Sequence, residues 1–419
     1  MTMVRKTVLD NGLIVITEEI QYVRSISIGV WVRCGSRYEK AADNGMAHFI
    51  EHMLFKGTGR RNAFDIAAAI DSVGGVMNAF TGKELTSLYI KVPDYHLTLA
   101  MDLLSDILRQ SLFAEEEIEK EKSVVHQEIH MLEDSPDEYI HELFDGAFWG
   151  GHALGLPILG TQERVSGYTR TGLVQFFDRM YQGRNMVLSA AGHLDHEAFV
   201  RQVEEFFGAL PEGRQQQVPE APTTQAKQVI QEKDLEQVHL VIGTLAPAAA
   251  SPKRYPSFLL NAVFGGSMSS RLFQEVREKR GLAYAIQSYL VPYLDTGMLG
   301  IYAGTGADHL EEVVDVIRQE MQRLCREPLT AQELHAAKEL IKGSFLLSME
   351  STDNRMTRLA KNELCLGRQV VAEEVLANLD AVTSDDILEL AGDMFRPETL
   401  SLAVMGNTGK GQVFDLRMQ

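Results

Sequence analysis

The chain has 419 residues, of which 45% are hydrophobic and 23% are charged, so it is long enough for two or more globular domains and too apolar to be disordered. Its 58 acidic and 40 basic side chains give a formal net charge of -18, which argues against nucleic acid or an anionic membrane as the main partner. The three cysteines are too few and too scattered for a disulfide framework or a cysteine metal site. This usage favours a reducing compartment.

The N-terminal residues 1–20 lack the long apolar segment of a signal peptide, and they predict a strand, an Asn-Gly turn and a second strand. No run of about 18 uncharged apolar residues occurs in the sequence, so we expect no membrane-spanning helix. Together with the cysteine usage, these features lead us to expect a cytoplasmic location.

Strand-like and helical patterns alternate along the first half of the chain. Residues 25–35 and 87–93 have the pattern of strands, and residues 96–113 have the apolar spacing of a helix. Residues 211–227, with three prolines and a run of glutamines, are typical of a linker. Beyond the linker the same order returns, with predicted strands at 239–247 and 293–305 and a predicted helix at 308–328.

The two halves also share an internal repeat. Residues 94–129 align with residues 307–345, and each segment predicts a helix, a short break and a second helix. The alignment places Glu128 opposite Ser344, so only the first half keeps this acidic residue. Two unrelated amphipathic helix pairs are the alternative. The predicted domains are residues 1–210 and 228–419, joined by the linker at residues 211–227.

Residues 44–58 contain the pattern H-x-x-E-H. If this segment is helical, His48 and His52 project from one face, one turn apart, so their imidazoles can share a metal ion. Glu51 lies beside that face, where its carboxylate can act as a general base. A catalytic zinc site has three protein ligands, so a third must come from elsewhere in the chain. A chance occurrence of the pattern is the alternative.

The acidic segment at residues 114–134 supplies candidates for the third ligand. Most of its acids form a solvated face, but Glu121 and Glu128 are seven residues apart and lie on one stripe of the predicted helix. We predict Glu128 as the third zinc ligand and Glu121 as an acid that orients a ligand histidine. Mn2+ or Co2+ can occupy the same nitrogen and carboxylate ligands.

The extended motif HFIEHMLFKGT, and the segment EKEKSVVHQE that places Glu128 seventy-six residues after His52, resemble the pitrilysin, insulin-degrading enzyme and mitochondrial processing peptidase superfamily. The resemblance covers essentially the whole chain, and the length resembles the bacterial processing-peptidase branch. It implies an α+β fold of two homologous α/β domains, each with a mostly antiparallel sheet packed with helices. It also implies a zinc metalloendopeptidase that acts on oligopeptides or unfolded segments, as a homodimer around an enclosed chamber.

Two further segments match the superfamily. Residues 74–90 resemble the edge strand beside the zinc, on which a substrate peptide adds as an extra strand. The residues implied to line this groove are Asn78, Ala79, Phe80 and Thr81. Residues 269–288 resemble the segment with an arginine and tyrosine pair, here Arg277 and Tyr284, which binds the peptide carbonyl and the oxyanion. Without the resemblance, these segments would be read as an ordinary hairpin strand, a surface arginine and a half-buried tyrosine.

A non-catalytic peptide-binding or scaffold subunit of the same fold is the alternative function, because some members of the superfamily keep the fold and lose the zinc residues. Here the set His48, Glu51, His52 and Glu128 is intact, which favours the enzyme. The second half has no H-x-x-E-H pattern, so we expect one zinc site per chain. The acidic net charge favours substrates with basic residues near the cut, and an acidic surface that serves only solubility is the alternative.

Overall fold

The computed structural model describes residues 3–408 and 414–416, which form eleven strands and fourteen α-helices. The strands are β1 (Met3–Val8), β2 (Ile14–Glu19), β3 (Ser25–Val32), β4 (Val76–Thr81), β5 (Thr86–Pro93), β6 (Met186–Gly192), β7 (Gln228–Glu232), β8 (Val238–Leu245), β9 (Ala283–Pro292), β10 (Gly297–Thr305) and β11 (Ser401–Gly406). The helices are α1 (Met46–Leu54), α2 (Ala63–Asp71), α3 (Leu97–Gln110), α4 (Glu115–Glu133), α5 (Pro136–Phe148), α6 (Gln162–Ser166), α7 (Arg170–Met180), α8 (His196–Phe207), α9 (Arg254–Phe264), α10 (Leu310–Arg326), α11 (Ala331–Ser348), α12 (Thr352–Lys361), α13 (Ala372–Ala381) and α14 (Ser384–Met394).

Two mostly antiparallel sheets organise these elements. The first has the strand order β1-β2-β6-β3-β5-β4, and its one parallel pair is β2 with β6. The second has the order β7-β11-β8-β10-β9, and its one parallel pair is β7 with β11. Helices pack against both sheets, which confirms the predicted fold class of two similar α/β units.

The chain separates into two compact units that are not consecutive in sequence. The first unit comprises Met1–His130, Leu156–Pro219 and Ser348–Gln369. The second unit comprises Met131–Gly155, Glu220–Leu347 and Val370–Gln419. The N-terminal half of the chain therefore contributes α5 to the second unit, and the C-terminal half contributes α12 to the first unit. This interleaving differs from the division into residues 1–210 and 228–419 expected from the sequence.

A glycine in each sheet lets the exchanged helix pack closely. In the first unit, a Cβ added to Gly29 of β3 would lie 2.8 Å from Sδ of Met356 in α12. In the second unit, a Cβ added to Gly243 of β8 would lie 2.5 Å from Cζ of Phe144 in α5. A larger residue at either position would push the helix away from the sheet.

Several predicted elements are found near their expected positions. Residues 211–227 contain no helix or strand. The repeated helix pair corresponds to α3 and α4 in one half and to α10 and α11 in the other. None of the helices within the described residues is both long enough and apolar enough to cross a membrane.

Candidate metal centre

Helix α1 presents its two histidines together because its apolar residues occupy another face. Phe49, Ile50 and Met53 are fully buried in the core of the first unit. The spacing of four residues then brings His48 and His52 together edge-on, with ring centroids 4.5 Å apart. Their Nε2 atoms lie 3.2 Å from each other, so both nitrogens face the same space.

Helix α4 brings Glu128 to these nitrogens. Its Oε2 atom lies 3.7 Å from Nε2 of His48 and 3.5 Å from Nε2 of His52. Zinc bonds of about 2.0–2.1 Å at tetrahedral angles would separate the ligand atoms by about 3.4 Å, which agrees with this triangle. Among the described residues, this is the one group of three or more His, Cys, Asp or Glu side chains with ligand atoms clustered closely enough to hold a metal.

An unpartnered polar atom of Glu128 supports the fit of a cation at this position. The Oε2 atom of Glu128 is buried and has no hydrogen-bond donor among the described residues. A buried carboxylate oxygen of this kind requires a compensating partner. Oε2 faces the Nε2 atoms of two imidazoles, and each Nε2 is an acceptor in the neutral tautomer that is protonated at Nδ1. With both rings in that tautomer, a metal ion is the partner that satisfies all three atoms.

Glu121 lies behind His52, on the side of the ring away from the three ligand atoms. Its Oε1 atom is 2.7 Å from Nδ1 of His52, and its Oε2 atom is 2.5 Å from Nζ of Lys56. The side chain of Glu121 is 3% exposed, so both of these partners compensate a buried charge. This is the geometry expected of an acid that fixes the ring and tautomer of a ligand histidine.

The two histidines have different electrostatic surroundings. Burial, followed by the proximity of His52, lowers the pKa of His48 to about 3, so His48 is neutral at pH 7. The pKa of His52 is raised above its ordinary value. Burial acts to lower it, but the hydrogen bond with Glu121 and the charge of Glu128 together outweigh burial. Neutral imidazole is the form that binds a metal, so binding there releases any proton carried by His52.

The general-base candidate Glu51 is half-buried on the same helix. The hydroxyl group of Thr81 in β4 donates a hydrogen bond to Oε2 of Glu51. Burial raises the pKa of Glu51, and the hydrogen bond from Thr81 partly opposes that increase. Thr81 was expected to line the substrate groove, and the structure adds a direct contact with the candidate base.

Strand β4 is the edge of the first sheet and pairs only with β5 among the described strands. The side chains of Asn78 and Phe80 are exposed, whereas those of Ala79 and Thr81 are half-buried. The ring of Phe80 packs edge-on against Trp31, with centroids 5.6 Å apart. The backbone edge of β4 that faces away from β5 is thus available to pair with an additional strand.

Arg277 and Tyr284 belong to the second unit, and they contact each other. Arg277 lies on the π-helical segment Phe273–Lys279, and Tyr284 lies on β9, the edge strand of the second sheet. The guanidinium carbon of Arg277 is 4.3 Å from the ring centroid of Tyr284 and 4.8 Å from that of Phe273. Tyr284 is 76% exposed, so its hydroxyl is accessible to solvent.

Sequence reasoning did not identify two residues that the structure places near the site. Lys56 follows His52 by four residues on the predicted helix, so its proximity to Glu121 could have been inferred from helical spacing. Glu39 reaches α1 from the preceding loop, and no periodic pattern indicates such a contact.

Comparison with known proteins identifies the family. The family described as Insulinase (Peptidase family M16) matches residues 14–162, and the Peptidase M16 inactive domain matches residues 167–341. A Bacillus subtilis protein named "uncharacterized zinc protease YmxG" is 41% identical over 407 residues, covering 97% of this chain and 99% of the relative. A Streptomyces coelicolor protein also named an uncharacterized zinc protease is 41% identical over 415 residues, covering 96% of this chain and 89% of the relative.

Solved structures share the fold at low sequence identity. A protease from Helicobacter pylori superimposes with a TM-score of 0.89 at 21% identity, covering 97% of this chain and all (100%) of that structure. A peptidase M16 inactive domain from Pseudomonas fluorescens gives a TM-score of 0.92 at 19% identity, covering 98% of this chain and 100% of that structure. Since relatives share about two fifths of their residues over nearly the whole length, the chain belongs to peptidase family M16.

Proposed function

We propose that the protein is a zinc-dependent endopeptidase that cleaves oligopeptides and unfolded peptide segments. The observation that carries this proposal is the convergence of Nε2 of His48, Nε2 of His52 and Oε2 of Glu128, with Glu51 on the same helix. The names of the relatives, zinc protease, support the metal and the class of reaction.

In this proposal His48, His52 and Glu128 hold one zinc ion. Bound zinc supplies Lewis-acid chemistry, since it lowers the pKa of a water ligand and polarises a peptide carbonyl group. Glu51 accepts the proton of the attacking water at Oε1, because Oε2 is already hydrogen-bonded to Thr81, and then delivers it to the leaving amine.

Surrounding residues hold these groups in place. Glu121 accepts the Nδ1–H of His52, so Nε2 of His52 carries the lone pair and faces the space that it shares with Nε2 of His48 and Oε2 of Glu128. Lys56 neutralises the other oxygen of Glu121, which keeps that buried carboxylate ionised. These contacts hold the ring of His52 in the orientation that a metal ligand requires.

Substrate binding is proposed on two surfaces. The substrate main chain pairs with the free side of β4, where the exposed Asn78 and Phe80 flank its side chains and Ala79 and Thr81 line the groove. Arg277 and Tyr284 bind the peptide carbonyl and stabilise the oxyanion, a role supported by the superfamily resemblance. The acidic net charge favours basic residues near the cut.

We further propose that two copies of the chain form a homodimer around an enclosed chamber, a proposal supported by the superfamily resemblance. Light scattering during size-exclusion chromatography should give twice the chain mass of 46.7 kDa. A single-chain mass at micromolar concentration would contradict this assembly while leaving the proposed chemistry intact.

A non-catalytic peptide-binding subunit is the competing function. Such a subunit would keep the fold and the peptide-binding edge of β4. Binding without hydrolysis requires neither a general base nor three convergent ligand atoms. The presence of Glu51 beside the triangle of ligand atoms therefore favours the enzyme.

The decisive experiment compares Glu51→Gln and His48→Ala with the wild type, using a fluorogenic peptide with an internal arginine and a metal analysis of the same samples. We expect wild-type cleavage to stop with a chelator and to return with zinc. Glu51→Gln should retain stoichiometric zinc and lose about 10²–10⁴-fold in kcat, the usual contribution of a general base. His48→Ala should lose the metal. Wild-type protein that holds zinc and cleaves none of a varied peptide set would support the binding subunit instead.

A further inference from the structure

A buried glutamate outside α1 accepts hydrogen bonds from the first residues of that helix. Glu39 is 6% exposed, and its Oε1 atom accepts the backbone N–H of Ala47 at 2.7 Å. Its Oε2 atom accepts the backbone N–H of Gly45 at 2.8 Å and the side-chain amide of Asn44 at 3.1 Å. Both carboxylate oxygens are therefore committed to the start of the helix.

The residue that would ordinarily cap α1 has no side chain. Gly45 occupies the N-cap with φ 92°, and a Cβ there would lie 2.6 Å from the hydroxyl of Tyr168. A Ser, Thr, Asp or Asn, the usual N-cap residues, therefore does not fit. Glu39 replaces this cap from six residues upstream, so the cap also ties the helix to the preceding loop.

The same helix start is held by contacts on another side. The Tyr168 hydroxyl donates to the backbone carbonyl of Asn44, and the Asn44 amide donates to the carbonyl of Pro157 at 2.8 Å. Since the side chains of Asn44 and Tyr168 are buried, breaking either bond leaves a polar side-chain atom with little water to replace its partner.

The position of α1 determines the geometry of the site. The helix has nine residues, and His48, Glu51 and His52 all lie on it, whereas Glu128 comes from α4. A displacement of α1 would move His48, Glu51 and His52 together, relative to Glu128. Metal and catalytic geometries tolerate displacements of only about 0.5 Å, and a shift of about 1 Å can cost about 10²-fold in rate.

We propose that Glu39 is a positioning residue for the metal centre, which fixes the start of α1 so that His48 and His52 stay aligned with Glu128. This inference rests on the proposed function, because it assigns Glu39 a role in the geometry of that site. Within the described part of the chain, the hydrogen bonds of Glu39 go to Asn44, Gly45 and Ala47 and to none of the ligand side chains, so it acts through the helix.

The test substitutes Glu39→Gln, which keeps the size of the side chain. The amide presents an NH2 group to the backbone N–H of either Gly45 or Ala47, so a donor faces a donor and the helix start must shift. We expect kcat to fall about tenfold with KM within about twofold, and the zinc dissociation constant, from competition with a chelator, to rise about tenfold. The visible absorption spectrum of the Co2+-loaded protein should also change, because it reports ligand geometry.

The matched control is Glu18→Gln. Glu18 is a buried glutamate in β2 of the same unit, where it pairs with Arg355 of α12. Its substitution should lower thermal stability while leaving the cobalt spectrum, the zinc affinity and kcat unchanged. The contrast between the two variants separates a positioning role from a general loss of stability.

Unchanged kcat, zinc affinity and cobalt spectrum in Glu39→Gln, beside an active zinc-containing wild type, would overturn the inference and leave the proposed function intact. Wild-type protein that binds no zinc would instead overturn the proposed function. Should Glu39→Gln fail to fold, Asn44→Ala removes one of the three hydrogen bonds to Glu39. The same measurements on that variant then decide, with unchanged values again overturning the inference.

Discussion

Three glutamates on or near α1 differ in what donates hydrogen bonds to them. Glu39 accepts from backbone amides and an asparagine, and Glu121 accepts from His52 and Lys56. The bonds from His52 and Lys56 outweigh burial and lower the pKa of Glu121. Glu51 has a neutral hydroxyl as its donor, so burial dominates and raises its pKa. A carboxylate in such surroundings is better suited than Glu121 to carry a proton during a reaction.

The contact of Thr81 with Glu51 gives a prediction about turnover. Thr81→Val has nearly the same shape and lacks the donor, so Glu51 loses its fixed orientation, and we expect kcat to fall about tenfold with unchanged zinc content. Thr81→Ser keeps the hydroxyl and should stay within about threefold of the wild type. Steady-state kinetics and metal analysis on the three proteins provide the measurement. Equal activity of the Val and Ser variants would show that the hydroxyl has no role.

The burial of Glu39 gives a prediction about pH and stability. Burial, partly opposed by the hydrogen bonds from Ala47, Gly45 and Asn44, raises the pKa of Glu39 from 4.5 to about 7. Because the folded state holds the proton more tightly, the contribution of Glu39 to stability is fully present below pH 4.5 and is lost as the pH rises through about 7.

The variant Glu39→Gln isolates this titration, because glutamine does not ionise. We expect the free energy of unfolding of the wild type, minus that of the variant, to fall by about 3 kcal/mol as the pH rises from below 4.5 to about 8, and then to level off. Denaturant unfolding of both metal-free proteins measures it. The charged and titratable groups near Glu39 are Asp43 with its partner Arg179, Cys34 and Tyr168, and these are common to both proteins. A difference that does not vary with pH would contradict the assignment.

The exchanged helices α5 and α12 cover equivalent positions on their sheets. In the first unit, Met356 and Leu359 of α12 are buried against Ile16 and Trp31 of the sheet. In the second unit, α5 contributes buried aromatic residues, among them Phe144, to the core over β8 and β11. Each sheet therefore relies on the opposite half of the chain to bury one of its faces.

Close packing of α5 predicts a position-dependent effect of glycine substitution. Gly243→Ala places a methyl group 2.5 Å from the fully buried ring of Phe144, so we expect the free energy of unfolding to fall by about 1–3 kcal/mol. Gly343→Ala in α11 is the matched control. Its added Cβ meets no atom within 4 Å, so helix propensity should stabilise the protein by about 0.5–1 kcal/mol. Chemical denaturation of both variants tests this, and similar effects would contradict the packing explanation.

The proposed zinc ion would link segments that are distant along the chain, since Glu128 follows His52 by seventy-six residues. A ligand that binds only the folded state stabilises that state in proportion to the logarithm of its concentration over its dissociation constant. Metal binding at this site is therefore expected to be visible in the stability of the protein as well as in catalysis.

Removing the metal gives a prediction for the protein as a whole. At free zinc 100 times its dissociation constant, binding contributes about 2.7 kcal/mol, so a chelator should lower the thermal midpoint of the wild type by several degrees. The midpoint of His48→Ala should be the same with and without chelator. Calorimetry on the two proteins provides the measurement, and equal chelator effects would indicate that the stabilising metal binds elsewhere.

The local features of this protein followed from the sequence. Helical spacing placed His48 and His52 on one face and Glu51 beside them, because positions three and four residues apart in a helix depend only on the regular geometry of the backbone. The internal repeat and the composition of residues 211–227 also indicated two similar units, since both are read from the order of residues along the chain without any tertiary contact.

The contacts between distant segments were decided only by the tertiary structure. The apolar faces of α5 and α12 require burial, but amphipathic periodicity does not state which sheet covers them, so the exchange between halves was not predicted. The contacts of Glu39 with α1 and of Thr81 with Glu51 likewise join loops and strands to a helix without any repeating spacing. The sequence by itself determined which residues can carry the chemistry, whereas packing in three dimensions determined which residues hold them in position, because that depends on non-local burial and hydrogen bonding.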